Sequence, residues 1–263
     1  LLFVGTSAAY ESEGFDRKNL ILPKKQEQLI ENITALNKNV VVVLTAGSPV
    51  LMDNWIGKVD GLVCAFYGGS EMSKAISDVL SGVYNPSGKL PVTFPHKWED
   101  CSAFSSYDKE KEVTKYTDGI FVGYRHFEHK NIAPLFPFGY GLSYTTFTYK
   151  NLKLSAREIE KKQKLTVTCS ITNSGNAAGS EVAQLYLHDV VASVERPVKE
   201  LKGFTKVALK PGETKTVSFT IDKDALSFFD EKSKSFTAEP GEFEVLIGSS
   251  SAKIELKDSF VLK

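Results

Sequence analysis

The sequence is sparing with the residues that staple a fold or ligate metals: three cysteines, two methionines, two tryptophans and four histidines in 263 residues. Cys64, Cys101 and Cys169 are odd in number and far apart, which excludes a disulfide framework and a cysteine-based metal spacing and leaves buried free thiols as the reading. Charge of one sign is missing too. Lys+Arg (32) and Asp+Glu (32) cancel, and on either side of residue 150 the balance is 15 cations to 16 anions and then 17 to 16. No basic face is left for nucleic acid or an anionic membrane. Apolar runs such as Val40-Val41-Val42-Val43-Leu44 fall far short of the roughly 18 residues of a membrane span. What is present, 42% hydrophobic and 24% charged residues, is ordinary globular composition and excludes a disordered, collagen-like or coiled-coil chain.

Leu1-Leu2-Phe3-Val4-Gly5 reads as a strand running into a glycine turn, with no signal or transit pattern before it. The expectation is a chain that begins inside a longer one. Its first half alternates short apolar runs with helical periodicity. Pro23 sits at the first-turn position of a helix over about Lys24–Asn37, with Leu29, Ile30, Ile33 and Leu36 on one face. Val40–Thr45 is a β-branched run of the kind covered on both sides in a parallel sheet. A Gly47–Pro49 turn, a short helical piece at Leu51–Gly57, a strand at Gly61–Tyr67 and an amphipathic helix at Glu71–Ser81 follow. This order predicts part of an α/β layered sheet.

From Phe147 the period becomes two: Leu165, Val167, Cys169 and Ile171 alternate with Thr and Ser, as do Val217, Phe219 and Ile221, and Phe243, Val245 and Ile247. Turn signals at Asn173–Asn176, Lys210–Glu213 and Glu239–Glu242 separate the runs. About seven short strands in this region fit an immunoglobulin-like β-sandwich of fibronectin type III kind. The fold class is therefore α/β plus all-β, with one domain over 1–146, including a Pro-, Gly- and aromatic-rich strap, and a second over 147–263.

The loop Glu11-Ser12-Glu13-Gly14-Phe15-Asp16-Arg17 follows the first strand, where α/β sheets place ligand loops. The carboxylates at i and i+2 of this loop are expected to point different ways and not to form a preformed acid/base pair, so one can face a cleft while the other stays in solvent. Asp16 and Arg17 are placed to hold the loop as an ion pair. By residue type alone this loop reads as solvated surface before it reads as an active site. His126 and His129 with Glu128 suggest a metal or, more plainly, a surface pair on a strand or turn. Trp55 and Trp98 read as sugar-stacking or core residues. Asp108–Glu112 reads as a solvated loop or a cleft rim. Asn32-Ile33-Thr34 has glycosylation-acceptor form but falls in a predicted helix, which argues against its use.

Several stretches together resemble glycoside hydrolase family 3. Glu11–Arg17 running into Asn19–Pro23 and Gln26–Ile30 is similar to the family's acid/base loop. Gly47-Ser48-Pro49-Val50 with Trp55 resembles its next block. Ser77–Gly82 and Asn85-Pro86-Ser87-Gly88-Lys89-Leu90-Pro91-Val92-Thr93-Phe94-Pro95 resemble its most recognisable stretch, and Phe121–Arg125 and Pro134–Thr145 its strap into a fibronectin-like domain. Gly68-Gly69-Ser70-Glu71-Met72-Ser73 departs from the family's usual run, in a segment read as packing at a helix start. The resemblance implies a β-glucosidase-type retaining hydrolase that removes terminal non-reducing β-D-glucose. A β-xylosidase of the same family and a non-catalytic carbohydrate-binding or scaffold piece are the alternatives. It implies Glu13, the glutamate directly before Gly14, as acid/base, with Glu11 as runner-up because this loop varies within the family. The role requires Glu13 to be protonated before the first step, which burial or a neighbouring carboxylate favours. The nucleophile is implied in a barrel of roughly 250 residues outside this chain. No cofactor and no metal are implied. The implied partners are a β-glucoside or oligosaccharide substrate and the N-terminal barrel, with a homodimer as one assembly, and neither nucleic acid nor membrane. A secreted or periplasmic setting is favoured over an intracellular one.

Overall fold

The computed structural model describes residues 1–107 and 113–263, so the Asp108–Glu112 loop lies outside the described residues. The chain divides into two compact units. The first holds residues 1–84, 92–119 and 131–136, and the second residues 85–91, 120–130 and 137–263.

In the first unit, β1 (Leu2–Gly5), β2 (Val41–Thr45) and β3 (Gly61–Cys64) form a parallel sheet in the order β1-β2-β3. The register pairs Leu2 with Val42 and Val41 with Gly61. β2 is central, and Val42, Val43 and Leu44 are fully buried, as its unbroken β-branched run requires. α1 (Lys24–Leu36) starts after Pro23, whose fixed φ and missing N–H suit that position. Of its expected apolar face only Ile30 is buried, while Leu29 and Leu36 are exposed. The side chain of Gln26 binds Gly5 as a neighbouring strand would: Gly5 N–H donates to Oε1 at 2.7 Å and Nε2 donates to Gly5 O at 2.9 Å. Thr34 Oγ1 donates back to the Ile30 carbonyl at 2.8 Å, so the Asn32-Ile33-Thr34 triplet is helix.

Two expectations are corrected here. The piece expected to be helical over Leu51–Gly57 is a turn closed by Trp55 N–H on Met52 O, followed by a 3₁₀ turn at Ile56–Lys58. The strand expected over Gly61–Tyr67 ends at Cys64, because Phe66 takes φ 49° and reverses the chain. α2 (Met72–Leu80) follows and buries Ile76.

In the second unit, α3 (Tyr124–His129) and β4 (Phe147–Leu154) precede the two-residue β5 (Glu158–Ile159), β6 (Leu165–Asn173), β7 (Gly179–Asp189), β8 (Glu200–Leu209) and β9 (Thr214–Ile221). α4 (Lys223–Leu226), capped by Asp222, leads to the hairpin β10 (Phe228–Asp230) and β11 (Ser235–Thr237), then to β12 (Gly241–Gly248) and β13 (Ile254–Leu262). A β5-β13-β12-β7-β8 sheet and a β4-β6-β9 sheet make the sandwich. Its full-length strands are the seven expected, β4, β6, β7, β8, β9, β12 and β13, with β5 and the hairpin as short additions. Between the sheets lie Leu165, Val167, Cys169 and Ile171 from β6, Phe219 and Ile221 from β9, and Phe243, Val245 and Phe260. The alternation fails in the middle of β7, where Ala183, Gln184, Leu185, Tyr186 and Leu187 are all buried. The outer face there is covered by the strap: Tyr124 meets Tyr186 edge-on at 6.0 Å, and Gln184 Nε2 donates to Gly139 O at 3.1 Å.

The histidines expected on a strand or turn stand on α3 instead. His129 stacks on Phe121 at 4.1 Å and faces Glu195 at 3.5 Å. Among the described residues no group of three or more His, Cys, Asp or Glu side chains is disposed to hold a metal ion. No helix among them is long and apolar enough to cross a membrane. The three thiols are free, Cys169 buried and the other two half-buried.

Candidate active site

The C-terminal ends of β1, β2 and β3 converge on one carboxylate, that of Glu11. Its Oε2 accepts from Thr6 Oγ1 at 2.8 Å just after β1, from Gly47 N–H at 2.8 Å after β2, and from Tyr67 OH at 2.7 Å after β3. Its Oε1 accepts from Arg17 Nη1 and from Ser48 Oγ, both at 2.8 Å. Arg17 Nη1 also donates to Ser48 Oγ at 2.5 Å and to Pro49 O at 3.3 Å. Parallel strands all deliver their C-terminal loops to one edge, which is why residues 61 positions apart in sequence meet there. Gly47 is required by the approach: a Cβ there would lie 2.8 Å from the Tyr67 ring and 3.1 Å from Glu11 Oε2.

Burial pushes the Glu11 carboxyl up, but the hydrogen bonds from Tyr67, Gly47, Ser48 and Thr6 outweigh it and hold the group at about 2. Tyr67 is raised above an ordinary phenol, first by burial and further by the Glu11 charge it faces, so it remains a donor. Thr6 and Tyr67 have one hydroxyl proton each, and with both given to Glu11 their own 2.9 Å contact carries none.

Between Glu11 and Arg17 the chain makes a tight turn: Ser12 bridges Phe15, and Gly14 N–H donates to Ser12 Oγ at 3.1 Å. Glu13 stands on that turn, exposed, its carboxylate without a partner among the described residues. Asp16 is exposed as well. The ion pair expected between Asp16 and Arg17 is not the one formed, because the turn carries Glu11 across to Arg17, and both side chains of that pair are largely buried. Thr6, Ser48 and Tyr67 carry no local sequence signal for this role. The available clue is that Thr6, Gly47 and Tyr67 each follow the C-terminal end of a predicted parallel strand.

The other candidates fall elsewhere. Trp55 is fully buried core, and Trp98 packs edge-on against Phe104 at 5.5 Å and Tyr107 at 5.8 Å. An apolar cleft of about 560 Å³ lined by Leu1, Phe3, Thr45, Met72, Ile76 and Leu80 also opens on this unit. It offers no carboxylate side chain for proton transfer.

In the second unit the Asn85–Pro91 part of the motif is a fastening. Asn85 Oδ1 accepts from Ser143 Oγ and Tyr144 N–H, each at 2.8 Å, and Nδ2 donates to Ala178 O at 2.9 Å. Lys89 Nζ donates to Gly141 O at 2.9 Å and pairs with Glu181 at 3.1 Å.

An α/β layer with a carboxylate-bearing loop at its strand ends, followed by a fibronectin-like sandwich, defines a class found among carbohydrate-hydrolysing proteins. Residues 1–144 match the glycosyl hydrolase family 3 C-terminal domain and residues 181–251 a fibronectin type III-like domain, and the chain belongs to glycosyl hydrolase family 3. Thermostable beta-glucosidase B of Acetivibrio thermocellus is 46% identical over 98% of this chain and 34% of its own length. Beta-glucosidase BoGH3A of Bacteroides ovatus is 45% identical over 93% of this chain and 33% of its own. The crystal structure of the Kluyveromyces marxianus beta-glucosidase in complex with glucose superposes with a TM-score of 0.93 at 41% identity, covering 100% of this chain and 31% of that one. That of a Bifidobacterium adolescentis family 3 beta-glucosidase gives a TM-score of 0.93 at 37% identity, over 99% and 38%. The chain thus spans about a third of the length of the relatives it matches.

Proposed function

We propose that this chain is the C-terminal part of a retaining β-glucosidase that removes terminal non-reducing β-D-glucose, with Glu13 as its acid/base and the nucleophile supplied by an N-terminal barrel. In the first step the nucleophile carboxylate bonds to the anomeric carbon as the glycosidic C–O bond breaks, and Glu13 gives its proton to the departing oxygen. In the second, Glu13 takes a proton from water, whose oxygen attacks the same carbon and releases glucose with its original configuration. In the general scheme the two carboxyl groups lie about 5–5.5 Å apart.

The observation that carries this reading is the division of labour on one loop. Glu11, the other candidate, has five donors on its two oxygens and stays ionised down to about pH 2, so it has no proton to give at working pH. Glu13 is uncommitted, and it is the glutamate directly before Gly14, as the family pattern places the acid/base. The β-glucosidase names of the relatives favour glucose over xylose at the pocket. In the full-length enzyme, Glu13→Ala should lower release of aryl β-glucosides by about 10²–10⁴-fold. Azide should restore part of it, since this anion needs no general base to attack the glucosyl-enzyme in place of water, giving glucosyl azide as the nucleophile carboxylate departs. Activity surviving Glu13→Ala would end the assignment. The chain by itself should turn over nothing.

A further inference from the structure

Glu13 is presented by a turn and its carboxylate has no hydrogen bond or ion pair among the described residues, so what fixes the feet of that turn fixes the carboxyl. We propose that Glu11 is a positioning residue: with Arg17 it closes the base of the Ser12–Phe15 turn and sets where Glu13 stands at the ends of β1, β2 and β3. The inference rests on the reading of Glu13 as acid/base.

The geometry is that of a keystone. Glu11 lies directly before the turn and Arg17 just after it, joined at 2.8 Å. The remaining bonds tie this pair to all three strand ends through Thr6, Gly47, Ser48 and Tyr67. All five groups facing the two oxygens donate to them, and on each side one of them, Arg17 or the Gly47 N–H, can only donate, so an acceptor-only carboxylate fits both sides. A glutamine of the same shape would turn an N–H₂ toward either Arg17 or the Gly47 N–H and set donor against donor there. Arg17 and Tyr67 are the titratable groups bonded to the carboxylate, one a permanent cation and the other a phenol. Among the described residues Arg17 Nη2 is buried with no partner, so the guanidinium is fastened through Nη1 and takes Glu11 as its charge partner. Protonation of Glu11, which would undo the arrangement, waits until about pH 2.

Misplacing an acid by a fraction of an ångström matters only where the leaving group needs its proton. In the full-length enzyme, Glu11→Gln should lower kcat/KM for alkyl glucosides or cellobiose by about 10- to 100-fold, yet for 2,4-dinitrophenyl glucoside, whose phenolate departs unaided, by less than about threefold. Azide should not help, because Glu13 is still there to serve as base. Equal losses on both substrate classes would mark a merely structural residue and overturn the proposal. Formation of glucosyl azide by the variant would overturn it as well, because Glu11 would then be the acid/base. Tyr67→Phe, which removes one donor and leaves both glutamates, should show the same leaving-group dependence to a smaller degree, and its absence there counts against the proposal. In the chain alone, amides of residues 12–17 should exchange about tenfold faster in Glu11→Gln while those of β2 do not change. Unaltered exchange would sink the positioning role even if Glu13 proves to be the acid/base. A full-length Glu13→Ala enzyme that still cleaves alkyl glucosides would sink the acid/base reading whatever the exchange experiment gives.

Discussion

Lys89, inside the most recognisable stretch of the sequence, is a buried charge, and its removal should be felt in stability. Its Nζ lies 3.1 Å from Glu181 Oε1 and 3.3 Å from Oε2, with side-chain exposures of 13% and 6%. Glu181 Oε1 also accepts from Tyr149 OH at 3.0 Å, and burial together with the Glu181 charge pushes that phenol far up, so it remains a donor. Lys89→Met keeps the aliphatic stem and removes the ammonium, leaving the carboxylate enclosed with one neutral donor. Stranding one member of such a pair costs about 3–5 kcal/mol. At about 2–4 °C per kcal/mol for a protein of this size, the melting temperature should fall by about 6–20 °C. Calorimetry or circular dichroism at pH 7 reads this directly. Lys89→Met/Glu181→Gln, which removes the charge and keeps an acceptor for Tyr149, should recover most of the loss. A single variant within about 1 kcal/mol of the parent would refute the reasoning. So would a double variant no better than the single one, since the loss would then be lost packing of the stem and not a stranded charge.

Two further outcomes follow from the first unit. Glu11 is depressed from an ordinary 4.5 to about 2 in the folded chain, so its contribution is fully present above pH 4.5 and is lost as the pH falls toward 2. The stability gap between the parent and Glu11→Gln should therefore be constant near neutrality and close across that window in urea titrations; a gap that persists at pH 2 would place the effect in packing. At Gly5, a Cβ would lie 2.0 Å from the Thr45 carbonyl oxygen across the β1–β2 ladder, so Gly5→Ala should destabilise by about 1–3 kcal/mol in urea unfolding. At Gly57 a Cβ meets nothing within 4 Å, so Gly57→Ala should stay within about 0.5 kcal/mol, and equal effects at the two positions would contradict the clash.

How much of this was legible in the sequence depends on whether the signal was periodic. β2 announced itself by an unbroken β-branched run, and β6 and β9 by strict alternation, because burial on two faces or one writes those patterns directly. β7 hid its two-sided burial, since the strap covers its second face and buries Gln184 and Tyr186 there, opposite the core residues. α3 was missed because six residues give less than two turns of periodicity, and its place is fixed by tertiary partners such as the Glu200 carboxylate on Arg125 and the Leu201 N–H on the Tyr124 hydroxyl.

The Glu11–Arg17 loop shows the same limit where it bears on chemistry. The pairing of Arg17 looked local because Asp16 is its neighbour, but adjacent side chains in an extended segment point apart, and the turn at residues 12–15 brings Glu11 to Arg17 instead. The surroundings that distinguish Glu11 from Glu13 include donors from residues as distant as Tyr67, which no spacing rule reveals. Two carboxylates at i and i+2 look alike in a sequence and differ in the fold: Glu11 accepts from five donors that hold it in its charged form, and Glu13 has no hydrogen-bond partner among the described residues. An acid/base must exchange its proton with substrate and water, and on the reading proposed for this loop that task falls to Glu13, while the five donors around Glu11 hold the turn that carries it.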